Sequence, residues 1–266
     1  MRITTWNINS IRARSEHFSA WLAANQPDVL CLQETKAQDA QFPVKLFEDA
    51  GYHVAFYGQK TYNGVAIASR SPITDVDRGL PLEGDPEARG IAATIDGIRV
   101  INVYVVNGKE VGDPKWHHKL RWLDALEGYV RARHQPEQPL VLCGDFNLCP
   151  TDRDTYDPGL WHRAVFCTEE ERAPFRRLLA WGLHDAFRET YPEVWGRPSF
   201  TWWDYRGGGF PRNHGLRIDH HLVSAPIFAR VAAVEIDRET RKAEKASDHA
   251  PVTLVLRDEP PAGSGG

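Results

Sequence analysis

Apolar residues in this chain gather in short, unbroken runs separated by turn-forming residues. Residues 140–143 (Leu-Val-Leu-Cys) hold no polar position, so they read as a strand buried on both faces, with Gly144 turning the backbone at its exit. Residues 2–6 and 29–33 repeat the pattern, the second ending at Glu34. Residues 52–57 and 65–69 predict two more strands, with Tyr62-Asn63-Gly64 as the turn between them. Residues 91–95 and 100–104 flank Asp96-Gly97, a strong hairpin signal. Residues 218–223, 230–236 and 252–256 complete the strands. Helical spacing is clearest over 114–133, where Trp116, Leu120, Leu123, Leu126 and Val130 share a face and Pro114 opens the first turn. A second amphipathic stretch covers 169–181, interrupted early by Pro174, and a third carries Ile11, Phe18, Trp21 and Leu22 before Pro27 ends it. Residues 200–205 are aromatic and irregular, and Arg206-Gly207-Gly208-Gly209 predicts a flexible loop. Hairpins mix with helical crossovers and no linker intervenes. The expectation is one α/β domain of mixed sheets covered by helices over residues 1–257, with a disordered tail at 258–266.

Composition narrows this only a little. With 266 residues, 42% of them hydrophobic, the chain can bury a large core. A formal charge of −4 excludes an overall basic coat but leaves room for a local basic patch. The nine tryptophans exceed what the core needs and suggest an aromatic cleft. Cys31, Cys143, Cys149 and Cys167 lack zinc-knuckle or redox spacing, and the first and second sit in apolar strands as small hydrophobes. No secretory leader and no membrane-length apolar run is visible, so a reduced, cytoplasmic setting is expected.

The chemistry lies at the strand exits. Asp145 and Asn147 follow one buried strand, Asn7 and Glu34 follow two others, and Tyr104 ends a fourth. Asp219 begins one strand, while Asp248 and His249 stand just before the last. Each has an ordinary reading by itself: a helix cap for Asn7, a turn for Asp145 and Asn147, a pairing with Arg217 for Asp219. Together they describe one cleft in which an acid and an amide handle a water and an oxygen of the substrate, the pattern of metal-assisted hydrolysis.

These segments resemble the exonuclease III family of the endonuclease/exonuclease/phosphatase superfamily. The matching segments are Trp6-Asn7-Ile8-Asn9, Leu32-Gln33-Glu34-Thr35-Lys36, Asn63-Gly64-Val65-Ala66-Ile67, Gly144-Asp145-Phe146-Asn147, Pro150-Thr151-Asp152, Asp204-Tyr205-Arg206, Gly215-Leu216-Arg217-Ile218-Asp219 and Ser247-Asp248-His249-Ala250-Pro251. They occur in the family's order. Two departures stand out: Ser10 replaces the usual glycine, and Val105-Val106-Asn107-Gly108 lacks the usual proline.

The resemblance implies a four-layered αββα sandwich, two packed mixed sheets flanked by helices. It also implies a nuclease for duplex DNA with abasic sites or blocked 3′ ends, with 3′→5′ exonuclease or 3′-phosphodiesterase activity, working as a monomer. Glu34 would be the main ligand of Mg²⁺ (or Mn²⁺), with Asn7, Asn9, Asp145, Asn147 and Asp248 contributing. Asp145 would activate the water and Asn147 position it. His249, held as an imidazolium by Asp248, would bind the phosphate. Tyr104 would donate to the phosphate or assist the leaving oxygen, and Asp219 would bind a second ion or protonate the leaving group. Trp202, Leu216 and Ile218 would line a pocket for an extrahelical abasic sugar, with Trp203 packed inward. Lys36, Arg89, Lys109, Lys115, Lys119, Arg206 and Arg212 are candidates for the DNA backbone, Arg206 foremost. Two other readings are a phosphatase or phospholipase of the same superfamily, acting on inositol phosphates or sphingolipids, and a non-catalytic DNA-binding module.

Overall fold

The computed structural model describes residues 1–82 and 84–258, so all but the first residue of the expected tail lies outside the described residues. The strands are β1 (Arg2–Asn7), β2 (Val29–Gln33), β3 (His53–Tyr57), β4 (Val65–Ser69), β5 (Thr74–Arg78), β6 (Gly90–Ile95) and β7 (Ile98–Tyr104). They continue with β8 (Leu140–Asp145), β9 (Leu183–Asp185), β10 (Trp202–Trp203), β11 (Gly215–Leu216), β12 (Asp219–Ser224), β13 (Val231–Ile236) and β14 (Val252–Leu256). The helices are α1 (Ser15–Asn25), α2 (Val44–Asp49), α3 (Pro114–Arg133), α4 (Pro158–Trp161), α5 (Glu169–Trp181), α6 (Ala186–Thr190), α7 (Gly209–Arg212) and α8 (Ala225–Phe228).

Two six-stranded sheets form, in the orders β13-β14-β1-β2-β4-β3 and β5-β6-β7-β8-β12-β9. Each has one parallel pair at its centre, β1 with β2 and β7 with β8, and its other neighbours run antiparallel. The sheets pack face to face: Ile3, Val29, Cys31 and Ile67 of one meet Ile91, Val100, Val141 and Cys143 of the other. Helices cover both outer faces. Phe18, Trp21 and Phe47 lie on Leu30, Leu32 and Ala66, while Leu123, Leu126, Phe175 and Leu178 lie on Ile101, Leu140 and Leu142. The four layers match the expected αββα sandwich. They also explain the unbroken apolar runs, because central strands covered on both faces have no polar side to show.

Local chemistry sets the element ends. Asp113 caps α3 by accepting from the Lys115 amide, with Pro114 in the first turn. Thr168 and Glu171 form a capping box on α5. Pro174 does not interrupt α5, which runs through it unbroken. The expected flexible loop at 206–209 is also ordered: a 3₁₀ turn over Arg206–Gly208 leads into α7, with Gly207 and Gly208 both at φ 64°. The left-handed conformation there is the reason for the glycines.

Candidate active site

The carboxyl ends of the two central parallel pairs point to the same place. Asn7 closes β1 and Glu34 follows β2, while Tyr104 closes β7 and Asp145 closes β8. Antiparallel neighbours deliver the rest. Asp219 opens β12 directly opposite Asp145, and residues 247–249 lead into β14 beside the end of β1. All eight expected catalytic and metal-binding side chains at strand exits therefore converge, from both sheets, on one cluster.

Hydrogen bonds tie it together. The Asn7 amide donates to Glu34 Oε1 at 3.1 Å and to Asp145 Oδ2 at 3.0 Å, joining the two sheets across their seam. Asn147 donates its amide to the Val105 carbonyl at 2.9 Å and its backbone N–H to Asp145 Oδ1 at 2.9 Å. Asn9 donates to Asp248 Oδ1 at 2.9 Å, and Trp202 Nε1 donates to Asp248 Oδ2 at 2.9 Å. Ser247 Oγ donates to the Asn7 carbonyl at 2.6 Å and accepts the His249 amide at 3.2 Å, fixing the segment that carries the imidazole.

The partner of His249 is not the expected one. Its Nδ1 lies 2.9 Å from Asp219 Oδ2 and its Nε2 3.7 Å from Asp145 Oδ2, so the ring stands between two buried carboxylates. Asp248, the sequence neighbour, points instead to Asn9 and Trp202, each of which donates to one of its carboxylate oxygens. Asp219 is correspondingly engaged by the imidazole, which leaves it poorly placed for a second ion. Nor does it pair with Arg217, whose guanidinium binds Asp154 and Asp185.

The electrostatics follow from this arrangement. Burial would pull the His249 pKa down, but Asp219 and then Asp145 overcome it and raise it to about 10, so the ring is an imidazolium at neutral pH. Burial is the largest influence on Asp145; His249 draws it back, Asp219 pushes it further, and it settles at about 7. Glu34 goes the other way: burial pushes it up, but the Lys36 ammonium at 2.8 Å more than compensates and lowers it. Burial, then Glu34 and Asp145, push the Tyr104 phenol well above its usual range, so it remains a donor.

The donor set suits a hard divalent cation. Oxygens of Glu34, Asn9 and Asp248 line one side of the cluster, and the Lys36 ammonium already bridges Glu34 Oε2 at 2.8 Å and Asn9 Oδ1 at 2.6 Å. A cation is thus the natural occupant there. Asn7 and Asn147 present their amide nitrogens to carboxylates, so in this geometry they orient ligands rather than supply oxygen. Among the described residues, Asp145, Asp219 and His249 also bring their polar atoms within 4.8 Å of one another, but there the imidazolium itself supplies the positive charge between the two carboxylates.

Backbone strain marks the same residues. Asn9, Ser10, Glu34, Lys36 and Asn147 all have φ between 48° and 83°, a region costly for side-chain-bearing residues. Ser10, at φ 83°, is where glycine was expected.

Other expectations fare differently. Lys36 is inside the cluster, but Arg206 is exposed and pairs with Asp204 at 2.7 Å. Arg89 and Lys119 cannot be phosphate contacts, being 7% and 0% exposed. The Arg89 guanidinium lies 4.9 Å over the Tyr104 ring. The Lys119 ammonium binds the Asn147 carbonyl at 2.6 Å and pairs with buried Glu171. Helical phase could have shown this, since position 119 continues the stripe of Trp116, Leu123, Leu126 and Val130 better than Leu120 does. Trp203 packs inward as expected. Leu216 and Ile218 do not line an open pocket: they are 0% and 1% exposed.

Comparison with known proteins agrees with this architecture. Residues 4–249 match the model of the endonuclease/exonuclease/phosphatase family. Exodeoxyribonuclease III of Haemophilus influenzae is 37% identical over 264 residues, covering 95% of this chain and 98% of the relative. Among solved structures, a Neisseria 3′ phosphatase bound to a product DNA hairpin superposes with a TM-score of 0.92 at 48% identity, covering 97% and 99% of the two chains. An AP endonuclease from Archaeoglobus fulgidus gives a TM-score of 0.91 at 38% identity, covering 96% and 99%. Two mixed sheets whose parallel strand ends assemble one acidic, histidine-bearing site, together with these full-length matches, place the chain in the exodeoxyribonuclease III branch of the endonuclease/exonuclease/phosphatase family.

Proposed function

We propose that the chain is a divalent-metal-dependent DNA-repair nuclease, hydrolysing phosphodiesters at abasic sites in duplex DNA and phosphate esters at 3′ ends. One observation carries the reading: a carboxylate poised near neutrality, Asp145, stands 3.7 Å from an imidazolium that a second carboxylate holds in place. Asp145 orients a water and takes its proton, and the Asn147 amide keeps that carboxylate aimed. His249, charged and fixed by Asp219, offers Nε2–H to a phosphate oxygen as negative charge builds there. Tyr104, protonated and hydrogen-bonded to Glu34, is a further donor to the phosphate. Glu34, with Asn9 and Asp248, would hold Mg²⁺ or Mn²⁺, which supplies positive charge to the phosphate and the leaving oxygen.

Beside Lys36 a groove of about 480 Å³ is lined by Arg12, Gln41 and Lys60. It offers a cationic track for a DNA strand on a chain whose formal charge is −4. The relatives named above include a 3′ phosphatase and an AP endonuclease, which is the range of activities proposed here. No described helix is long and apolar enough to cross a membrane. The same reading has residues 1–257 acting as one domain, as a monomer, in the cytoplasm. The test is purified protein with Mg²⁺ on an abasic-site duplex and a 3′-phosphate duplex, run beside an inositol phosphate and a sphingolipid. Cleavage of the DNA alone is expected, and turnover of the lipid or inositol phosphate alone would refute it.

A further inference from the structure

The chain contains two Asn-Gly sequences, Asn63-Gly64 and Asn107-Gly108, and the fold treats them differently. In such a pair the amide nitrogen of glycine can attack the asparagine side chain, because no side chain on glycine crowds the succinimide ring. Asn63 is buried, its amide donates to Gln59 Oε1 at 3.1 Å, and the Gly64 N–H is tied to the Ala88 carbonyl at 2.9 Å. Asn107 is exposed on the loop after β7, and among the described residues the Gly108 N–H has no hydrogen-bond partner. Two donors sit where ring closure needs them. The Lys119 ammonium, 3.3 Å from the Asn107 backbone carbonyl, stabilises the negative charge that this oxygen takes up when the Gly108 amide loses its proton. The Lys109 N–H donates to Asn107 Oδ1 at 3.1 Å, which orients the side chain and favours charge on that oxygen as the ring forms. Glycine is also required at 108, where φ is 94° and a Cβ would stand 3.2 Å from Lys119 Cδ and from Val165 Cγ2.

We propose that Asn107 is a site of spontaneous deamidation, through attack by the Gly108 amide, and that the product slows the hydrolysis described above. The site itself is independent of the nuclease reading; its effect on turnover rests on that reading. Gly108 N bonds to Asn107 Cγ, the Cγ–Nδ2 bond breaks, and the nitrogen leaves as ammonia with the proton released from Gly108. Water then opens the succinimide at either carbonyl, giving aspartate or isoaspartate, and no oxidant or reductant takes part. In the unmodified chain Asn107 Nδ2 donates to Asn147 Oδ1 at 3.2 Å. The carboxylate that replaces it has no hydrogen to donate and sets a negative charge against that oxygen, and isoaspartate also adds a carbon to the backbone there. Asn147 in turn bonds Asp145 through its backbone N–H and its amide, so the disturbance reaches the carboxylate that orients the water.

The test ages the full chain below its melting temperature at neutral and mildly alkaline pH. Mass spectrometry reads each Asn-Gly peptide, and turnover of a 3′-phosphate duplex with Mg²⁺ is followed on the same samples. Asn107 should show the amide-to-acid mass change at least ~10-fold faster than Asn63, whose glycine amide must first be freed from its carbonyl. In denaturing urea, where neither glycine amide is held, the two rates should converge. Activity should fall in proportion to the modified fraction of Asn107. Asn107→Gln, whose longer side chain would need a larger ring, should keep its own starting activity over the same period. Modification of Asn107 no faster than that of Asn63 in the folded protein would overturn the site, whatever the variant does. Full modification without loss of turnover, or an equal decline in folded Asn107→Gln, would overturn its effect on catalysis. Fresh protein that hydrolyses no DNA would overturn the nuclease reading and the effect on turnover, while the mass measurement still decides the site.

Discussion

Replacing Lys119 with Met keeps the length of the side chain and removes its charge, which isolates what the ammonium does. Lys119 and Glu171 are both fully buried and form an ion pair. Burial pulls the Lys119 pKa down, and Glu171 opposes this. In Lys119→Met the Glu171 carboxylate would keep its bonds from the Phe166 amide at 3.1 Å, the Thr168 amide at 3.1 Å and the Thr168 hydroxyl at 2.8 Å, but would lose its counter-charge. Breaking a buried pair from one side costs roughly 3–5 kcal/mol, and the three retained donors put this case near the low end, about 3 kcal/mol. For a chain of this size that corresponds to a melting temperature lower by roughly 6–12 °C. The Asn147 carbonyl would also lose its 2.6 Å partner, so kcat should fall in the folded variant at temperatures well below melting. Lys119→Met with Glu171→Gln removes both charges and should recover more than half of the lost stability while leaving kcat low. Thermal unfolding followed by circular dichroism, with turnover measured on the same samples, reads both effects. A loss below about 2 °C would refute the buried pair. A large stability loss with unchanged kcat would refute the claim that Lys119 holds the Asn147 segment in place.

Asp145→Asn should retain the fold and lose at least ~10²-fold in kcat, because an amide cannot accept the water's proton; more than about a tenth of wild-type activity would remove Asp145 from that role. EDTA should stop turnover reversibly, and Glu34→Ala should raise the Mg²⁺ concentration needed for half-maximal activity; an unchanged titration would take Glu34 out of the metal site. Stability should fall as pH drops from about 6.5 toward 4. Burial, helped at His220 by Arg217, depresses His220 to about 4 and His221 to about 3, so the unfolded chain binds protons that the folded chain refuses. Asp145, raised to about 7, takes a proton in the folded state over the same range and offsets part of this loss. Urea midpoints at pH 7, 5.5 and 4.5 check the net fall, and a flat profile would mean that the two histidines are not both held neutral.

Much of the fold could be read from the sequence because the central strands are covered twice and carry apolar residues at every position. The strand β5 could not: at the sheet edge Thr74 and Asp75 are exposed, and its polar run Thr-Asp-Val-Asp-Arg looks like a loop. That these polar residues would meet was also legible, since many of them directly follow buried strands. Pairings within it were not. His249 and Asp219 are 30 positions apart, and the adjacent Asp248 was the nearer candidate until backbone direction placed it on the other side. The pocket failed for a similar reason. Leu216 and Ile218 look the same in sequence whether they face a cavity or the ring of Phe166, some fifty positions earlier.

The first sheet is built from both ends of the chain: Thr4 of β1 meets Thr253 of β14 across 249 positions at 2.8 Å. During synthesis, β1 waits at the edge of an incomplete sheet until residues 252–256 have left the ribosome. The segment that carries His249 arrives just before that last strand, and Ser247 is what fastens it to the Asn7 carbonyl. From residue 145 until residue 249 a growing chain therefore carries Glu34 and Asp145 without the imidazolium that completes the site. Because the site straddles both sheets, neither sheet by itself assembles it, and the cluster is complete only when the segment carrying His249 is fastened beside β1.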